Sequence, residues 1–312
     1  MKAWQFVGEN EPLALRDVPE PVPGAGEIVL DVKAAGICHS DVGFIDGTLT
    51  ALLPKRPITL GHEIAGVVSA IGPNVVDCRV GQRVAIPCDI STPGTSLDGG
   101  FAEKVLTPAR FAIPIPDGVP YDQAAAATDA GMTSYHAAIV VGEVKAGDKV
   151  GIIGLGGLGS LAVQICVGVG AEVYAAEVNE QAWELGTTLG AVAVASDIHE
   201  FADKELDVII DYAGFGTTTA SAIETVRPDG KVVQVGLGRP EGTINLQRLT
   251  LSRLTLVGSQ AGTQEDCANV LKLIEQAKLK ANITNISFDE IGDGITRLER
   301  GEVVGRLVAV RD

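Results

Sequence analysis

Residues 149–177, KVGIIGLGGLGSLAVQICVGVGAEVYAAE, restrict the fold more than any other part of the chain. They open with a short apolar run, 150–153, of the kind a parallel strand covered on both faces requires. Glycines then fall at Gly154, Gly156 and Gly159 in the pattern GxGxxG, with Gly157 and Leu158 between. Residues 160–169 carry a helical pattern, and a second apolar run, 173–176, ends at Glu177, 23 residues after the first glycine. Each part has a physical job in holding a dinucleotide. Gly154 allows the turn, Gly156 lets the backbone approach a pyrophosphate, and Gly159 lets the helix pack close to the strand. The helix N-terminus offers free N–H groups and the positive end of its dipole to the phosphates. Glu177 is placed to accept hydrogen bonds from the adenosine ribose hydroxyls. A glycine-rich turn alone is common, so the weight lies on strand, turn, helix, strand and acid at these spacings. A transmembrane helix over 150–171 is the competing reading of this apolar stretch, and the seven glycines there argue against it.

The 312 residues suggest two domains, and 46% hydrophobic with 21% charged residues is an ordinary globular composition. From residue 149 onward, strands are expected at 149–153, 172–176, 192–195, 207–211, 231–235 and 255–257. Helices are expected between most of them, notably at 180–189 and 217–226. Six parallel strands with crossover helices make a Rossmann doubly wound sheet, an α/β fold. Residues 1–110 read instead as a small, irregular β-barrel. VLDV, AGVVSAI and RVAI are short β-branched runs, separated by turn clusters such as PVPGAG and IGPN. An alanine-rich bridging helix is expected over 122–140. After residue 258 a helix at 264–277 and a strand at 306–310 suggest that the tail leaves the Rossmann sheet and packs back on the first domain.

A formal charge of −16 repels phosphate backbones and anionic lipid, so neither nucleic acid nor membrane is an expected partner. The opening MKAWQFVGENEPLALRD lacks a basic-then-apolar leader, and the five cysteines do not form a disulfide pattern. A cytoplasmic setting is the simplest expectation.

Cys38, His62 and Asp129 supply one sulfur, one nitrogen and one oxygen, a set suited to a three-ligand catalytic zinc with an open fourth position. Glu63 is a candidate movable extra ligand. Asp41 is a candidate partner for the non-ligating ring nitrogen of His62, which would fix its tautomer. Spacing alone leaves a bland alternative standing, in which Cys38 is a core residue, His62 a satisfied polar group and Asp129 a helix cap.

The strings GICHSD, GHEIAG, GQRVA, DGGFAE, TDAGMTSYHA, GIIGLGGLG and GRLV together resemble the medium-chain zinc alcohol dehydrogenases, from one end of the chain to the other. The resemblance implies a GroES-like catalytic domain over 1–130, a Rossmann NAD-binding domain over 131–258, and a return segment, 259–312, completing the first. It implies zinc on Cys38, His62 and the residue at 129. It makes Ser40 the first proton acceptor. The usual relay histidine is replaced by Gly43, which leaves His39 as a relay or as a phosphate contact. Thr133 and Leu158 match positions against nicotinamide. Val235, Gly236 and Leu237 match the strand end beside its carboxamide, and Arg306 matches the arginine on the pyrophosphate. The edge strand 255–257 implies a homodimer or homotetramer.

Two departures stand out. Most of the family has cysteine where this chain has Asp129, although a subgroup resembling secondary-alcohol dehydrogenases has TDAG here; both side chains bring one negative charge. The interval 86–97 replaces a lobe that usually carries four cysteines around a structural zinc. Its single cysteine, Cys88, builds no such site, so one zinc per chain is expected and Cys78 and Cys88 are expected to be inert. Gly43, Ser259 and Gln260 stand where bulky pocket side chains are frequent, which suggests an open or partly polar cleft for primary or secondary alcohols and their aldehydes or ketones. Two other functions compete: a zinc-free NADPH-dependent quinone or enoyl reductase, and a dinucleotide-binding protein without turnover.

Glu177 is followed by Val178, Asn179 and Glu180, with no cation for a 2′-phosphate. NAD is therefore expected to exceed NADP in kcat/KM, and an NADP preference of about tenfold would overturn that charge argument.

Overall fold

Between residues 149 and 258, β-branched and alanine-rich runs form six strands that all pair in parallel: Lys149–Ile153, Glu172–Ala176, Ala193–Ala195, Val208–Asp211, Lys231–Gln234 and Thr255–Gly258. In the computed structural model, which describes residues 1–311, they lie with Ala193–Ala195 at one edge, then Glu172–Ala176, Lys149–Ile153, Val208–Asp211 and Lys231–Gln234, and Thr255–Gly258 at the other edge. The chain order reverses at Lys149–Ile153, the strand that runs into the glycine turn. That is the switch point where open α/β sheets bind ligands. Val150, Ile152, Ile209 and Val232 are fully buried in this sheet. One face carries a core of Ile153, Tyr174, Ile198, Phe201, Leu206 and Ile223.

The chain forms two compact units. The second comprises Thr133–Gly262 and Lys278–Asn282; the first comprises Met1–Met132, Thr263–Ala277 and the residues from Ile283 onward. The first is organised on the eleven-residue strand Glu27–Ile37, which pairs antiparallel with Glu63–Ile71, Lys104–Pro108 and Arg306–Val310. Arg83–Ile86, Ile113–Pro114 and Ile283–Ser287 extend this to seven strands. A second sheet of three strands has Lys2–Phe6 between Ala14–Asp17 and Ile58–Thr59. Leu30, Ile37, Ile64, Ile86, Phe101 and Leu307 fill the core. The tail beyond Thr263 belongs to this unit except for Lys278–Asn282, and its strand Arg306–Val310 completes the sheet beside Glu27–Ile37.

The bridging segment departs from a plain α-helix. It runs as α over Tyr121–Ala126, widens to π over Ala127–Gly131, returns to α over Met132–Tyr135 and widens again over His136–Val141. Strand Ile283–Ser287 and helix Ile291–Glu299 have no counterpart in the sequence expectations. ITNIS lacks an apolar alternation, and Gly292 and Gly294 weaken the local helical signal. Gly294 is there for packing: a Cβ on it would lie 2.7 Å from Ile37 Cδ1 and 2.9 Å from Ile286 Cδ1. Among the described residues, no helix is long and apolar enough to cross a membrane.

Candidate metal centre and dinucleotide turn

Cys38 lies between strand Glu27–Ile37 and helix His39–Asp46, with an extended backbone that precedes the first helical residue. Asp41, in the first turn of that helix, accepts the Cys38 N–H at 3.0 Å, so the acid fixes the chain where the thiol emerges. His62 and Glu63 come from the start of strand Glu63–Ile71, with Glu63 opposite Gly36 in register. Asp129 sits within the π-helical turn, a local widening often associated with functional side chains.

These three distant segments bring one ligand atom each from Cys38, His62, Glu63 and Asp129 within 4.8 Å of one another, all four residues buried. Asp129 Oδ2 lies 3.4 Å from Cys38 Sγ and 3.6 Å from His62 Nε2. The other ring nitrogen, Nδ1, faces Asp41 Oδ1 at 3.4 Å. Burial alone would lower the basicity of His62, but the Asp41 carboxylate, Cys88 and Asp129 outweigh it and hold the imidazole well above its usual range. A thiol, an imidazole and carboxylates converging in the interior form a donor set that fits zinc, with Asp41 turned to the remaining ring nitrogen. Among the described residues this is the one group of three or more such side chains close enough to share an ion.

Ser40 is half-buried at the edge of the set, its Oγ 3.6 Å from Cys38 Sγ. His39 is exposed, and desolvation by surrounding protein together with the Arg306 cation lowers its basicity. Arg306, which the resemblance matches to the pyrophosphate, has partners within the chain. Its guanidinium is buried, pairs with both oxygens of Glu63 and reaches Asp129 Oδ2 at 3.2 Å. Cys88 also has a place here: its N–H donates to Thr128 O at 2.8 Å, one residue from Asp129. Burial pushes its thiol up, and of its charged neighbours only His62 opposes the rise. Gly43 does not open a cleft, because a Cβ on it would lie 3.0 Å from Leu49 Cδ1, and Leu49 fills that space.

The interval after Ile86 closes on itself. Thr92 and Thr95 hydroxyls donate to Asp89 O at 2.9 and 2.7 Å, and the amides of Gly99, Gly100 and Phe101 donate to the carbonyls of Thr59, Gly61 and Leu60. The loop thus returns beside the segment that leads into His62.

In the second unit, Gly154 turns the chain at φ 91°, a conformation that favours glycine, and a Cβ on Gly159 would collide with the Gly154 carbonyl. A Cβ on Gly156 would meet nothing within 4 Å, so this side of the turn is open to an approaching group. Glu177 reaches back to the turn: one carboxylate oxygen accepts the Leu155 N–H at 2.7 Å and the other the Asn179 N–H at 2.8 Å. Carboxylate oxygens have further lone pairs for ribose hydroxyls. Ser134, beside buried Thr133, donates to Leu158 O at 2.8 Å and anchors the turn. Val235 and Gly236 donate to Asp211 O at 3.0 and 2.9 Å, and Leu237 beyond them is exposed. Asp211 itself is buried and accepts from the amides of Ala213 and Gly214 and the hydroxyls of Thr218 and Thr219. An acid closing the apolar run VIID was its only signal in the sequence.

A sulfur-containing metal set on a GroES-like sheet, joined in one chain to a glycine turn at a Rossmann switch point, defines a zinc-binding dehydrogenase. Residues 157–276 match the zinc-binding dehydrogenase family, and residues 24–117 match the alcohol dehydrogenase GroES-like domain. An alcohol dehydrogenase of Geobacillus stearothermophilus is 32% identical over 99% of both chains. An NAD-dependent alcohol dehydrogenase of Sulfolobus acidocaldarius is 31% identical, again over 99% of both. Among solved structures, acetophenone reductase from Geotrichum candidum in complex with NAD superposes with a TM-score of 0.92 at 33% identity, covering 99% of this chain and 97% of that one. The chain belongs to the medium-chain zinc-dependent alcohol dehydrogenase family.

The donor set predicts one zinc per chain, measured by elemental mass spectrometry after dialysis, and loss of that zinc in Asp129→Ala. Asp41, Cys88 and Asp129 raise the basicity of His62, which must be neutral to ligate, so zinc uptake should release protons and tighten as pH rises. Calorimetry in buffers of different ionisation enthalpy measures that release; zinc uptake without proton release would contradict the electrostatics.

Proposed function

We propose that this chain reversibly transfers hydride between NAD(H) and primary or secondary alcohols, with aldehydes or ketones as products, using one zinc held by Cys38, His62 and Asp129. The observation that carries the reading is the convergence of these three side chains in a buried position with the Ser40 hydroxyl at its edge. Bound there, zinc supplies a Lewis acid that polarises the substrate oxygen. NAD takes the hydride, two electrons with one proton, from the carbinol carbon. The hydroxyl proton must leave separately, and Ser40 is the group positioned to accept it. Asp41 fixes the Cys38 backbone and faces the His62 ring, so this acid holds two ligand-bearing residues in place. In the second unit the open face at Gly156 and the Glu177 carboxylate support the dinucleotide reading. A zinc-free reductase has no use for a buried cysteine, histidine and aspartate gathered in this way.

His39 is the exposed base next to Ser40 and passes the proton onward. Its lowered basicity keeps it neutral at physiological pH, so the acid limb of kcat/KM for alcohol oxidation should lie below the ordinary histidine value near 6.5. His39→Gln should remove that limb and slow oxidation by roughly a hundredfold. An unchanged profile with only a raised KM for NAD would assign His39 to the phosphate instead.

A homo-oligomer is part of the same reading. Strand Thr255–Gly258 ends the parallel sheet with Thr255, Leu256 and Gly258 exposed, and Leu246 and Leu251 of the preceding helix are exposed as well. An unpaired apolar edge of this kind favours a second copy. Light scattering should give at least twice the 32.3 kDa chain mass, with Leu256→Lys shifting the protein toward monomer; a monomeric wild type would refute the oligomer.

A further inference from the structure

Asp211 ends strand Val208–Asp211 at the carboxyl edge of the parallel sheet, the edge where open α/β sheets take their ligands. It is fully buried, and four donors converge on its carboxylate. Oδ1 accepts the amides of Ala213 and Gly214 at 3.0 and 2.9 Å, and Oδ2 the hydroxyls of Thr218 and Thr219 at 2.8 and 2.9 Å. Its carbonyl accepts the amides of Val235 and Gly236 at the neighbouring strand end. One residue thus holds both the loop after its own strand and the end of the next.

Gln234 extends this hold. Its Oε1 lies 2.7 Å from Thr219 Oγ1, its Nε2 donates to Gly236 O at 2.7 Å, and its carbonyl accepts the Ser259 amide at 2.8 Å. The two loops then interlock, with the amides of Gly238 and Arg239 donating to the carbonyls of Ala213 and Gly214 at 3.2 and 2.9 Å. They lie so close that a Cβ on Gly214 would collide with the Gly236 carbonyl, and one on Gly236 would lie 2.5 Å from Tyr212 O. The same loop touches the dinucleotide turn: a Cβ on Gly154 would stand 3.6 Å from Ala213 N. Just beyond strand Thr255–Gly258, Ser259 Oγ is buried without a hydrogen-bond partner among the described residues, a cost that a polar ligand group would relieve.

We propose that Asp211 is a positioning residue for the nicotinamide end of the cofactor. By fixing the loop 213–218 against residues 235–237 it sets where the ring sits, while the phosphates remain on the glycine turn. This rests on the reading that 235–237 lies beside the nicotinamide carboxamide. The position calls for a carboxylate, because all four partners donate and an acid accepts at both oxygens. An asparagine would keep its oxygen for the two backbone amides, which cannot accept, and turn its NH2 toward the hydroxyls. Thr218 and Thr219 then lose their acceptor, and the far end of the loop is released.

The test compares NADH with ADP-ribose, which lacks the nicotinamide, by titration calorimetry on the full chain, alongside NADH fluorescence and thermal melting. Wild type should bind NADH more tightly than ADP-ribose and enhance its nicotinamide fluorescence. In Asp211→Asn the Kd for NADH should rise about tenfold, the worth of one well-placed hydrogen bond, and the enhancement should be lost. The Kd for ADP-ribose should stay within about twofold, which loss of stability alone would not produce. Folded Asp211→Asn in which both ligands weaken by the same factor, or neither weakens, overturns the proposal. If Asp211→Asn does not fold, Gln234→Ala and Thr219→Val decide it by the same comparison: selective loss of NADH affinity supports it, and equal or no loss overturns it. Wild type that binds neither ligand overturns the dinucleotide reading as well. Wild type that binds both equally, without fluorescence enhancement, overturns the placement of the nicotinamide on which the proposal rests.

Discussion

Anionic side chains buried a few ångströms apart cannot be left without cations, because desolvation of each charge exceeds what hydrogen bonds alone return. Glu63 and Asp129 are gathered in this way beside the Cys38 sulfur, and much of the first unit is arranged to permit it. Arg306 supplies one positive charge from within the chain, and the donor set suits a divalent ion for the rest. Asp41 turns toward the imidazole that stands among these anions, and Gly36 gives up its side chain so that Glu63 fits. Even the widening of the helix at Ala127–Gly131 belongs to this arrangement, since it carries Asp129.

A set of this kind needs a rigid support, because its ligands come from positions far apart in the chain. Strand Glu27–Ile37 provides it, paired on one side with the strand that begins at Glu63 and on the other with the strand that begins at Arg306. Their register places each side chain at a strand end, where the pleat aims it and the ladder holds it. The second unit solves a different problem with less. It has a single turn at the switch point, two glycines where a side chain is excluded and one acid folded back on the turn, an arrangement suited to recognition of a dinucleotide phosphate chiefly by backbone.

That difference explains what could be read in advance. The glycine turn, its flanking strands and Glu177 were legible because the recognition is local and nearly every part falls within thirty consecutive residues. All six Rossmann strands were legible for the same reason, with boundaries differing by one residue at several ends. Cys38, His62, Glu63 and Asp129 were legible as residue types, but that they meet was suggested by resemblance, since spacing carries no distance. Arg306 matches a phosphate contact by motif, and only the structure shows Glu63 and Asp129 beside it. The sequence places nothing near Cys88, and the structure ties its backbone N–H to Thr128, next to Asp129. Gly43 suggested an open pocket, yet Leu49 occupies the space. In each case the deciding neighbour lies outside the local motif.

The sequence by itself determined the order of elements, the class of each unit, the dinucleotide turn and the chemical inventory of the metal set, because periodicity, turn chemistry and motif spacing are properties of neighbouring residues. Tertiary structure alone decided which charges face one another: Arg306 with Glu63 across 243 positions, Asp129 with Cys38 across 91, and Asp41 with His62. Those pairings depend on sheet register and on side-chain volume at Gly36, and register is settled by the packing of the whole core rather than by any segment of the chain.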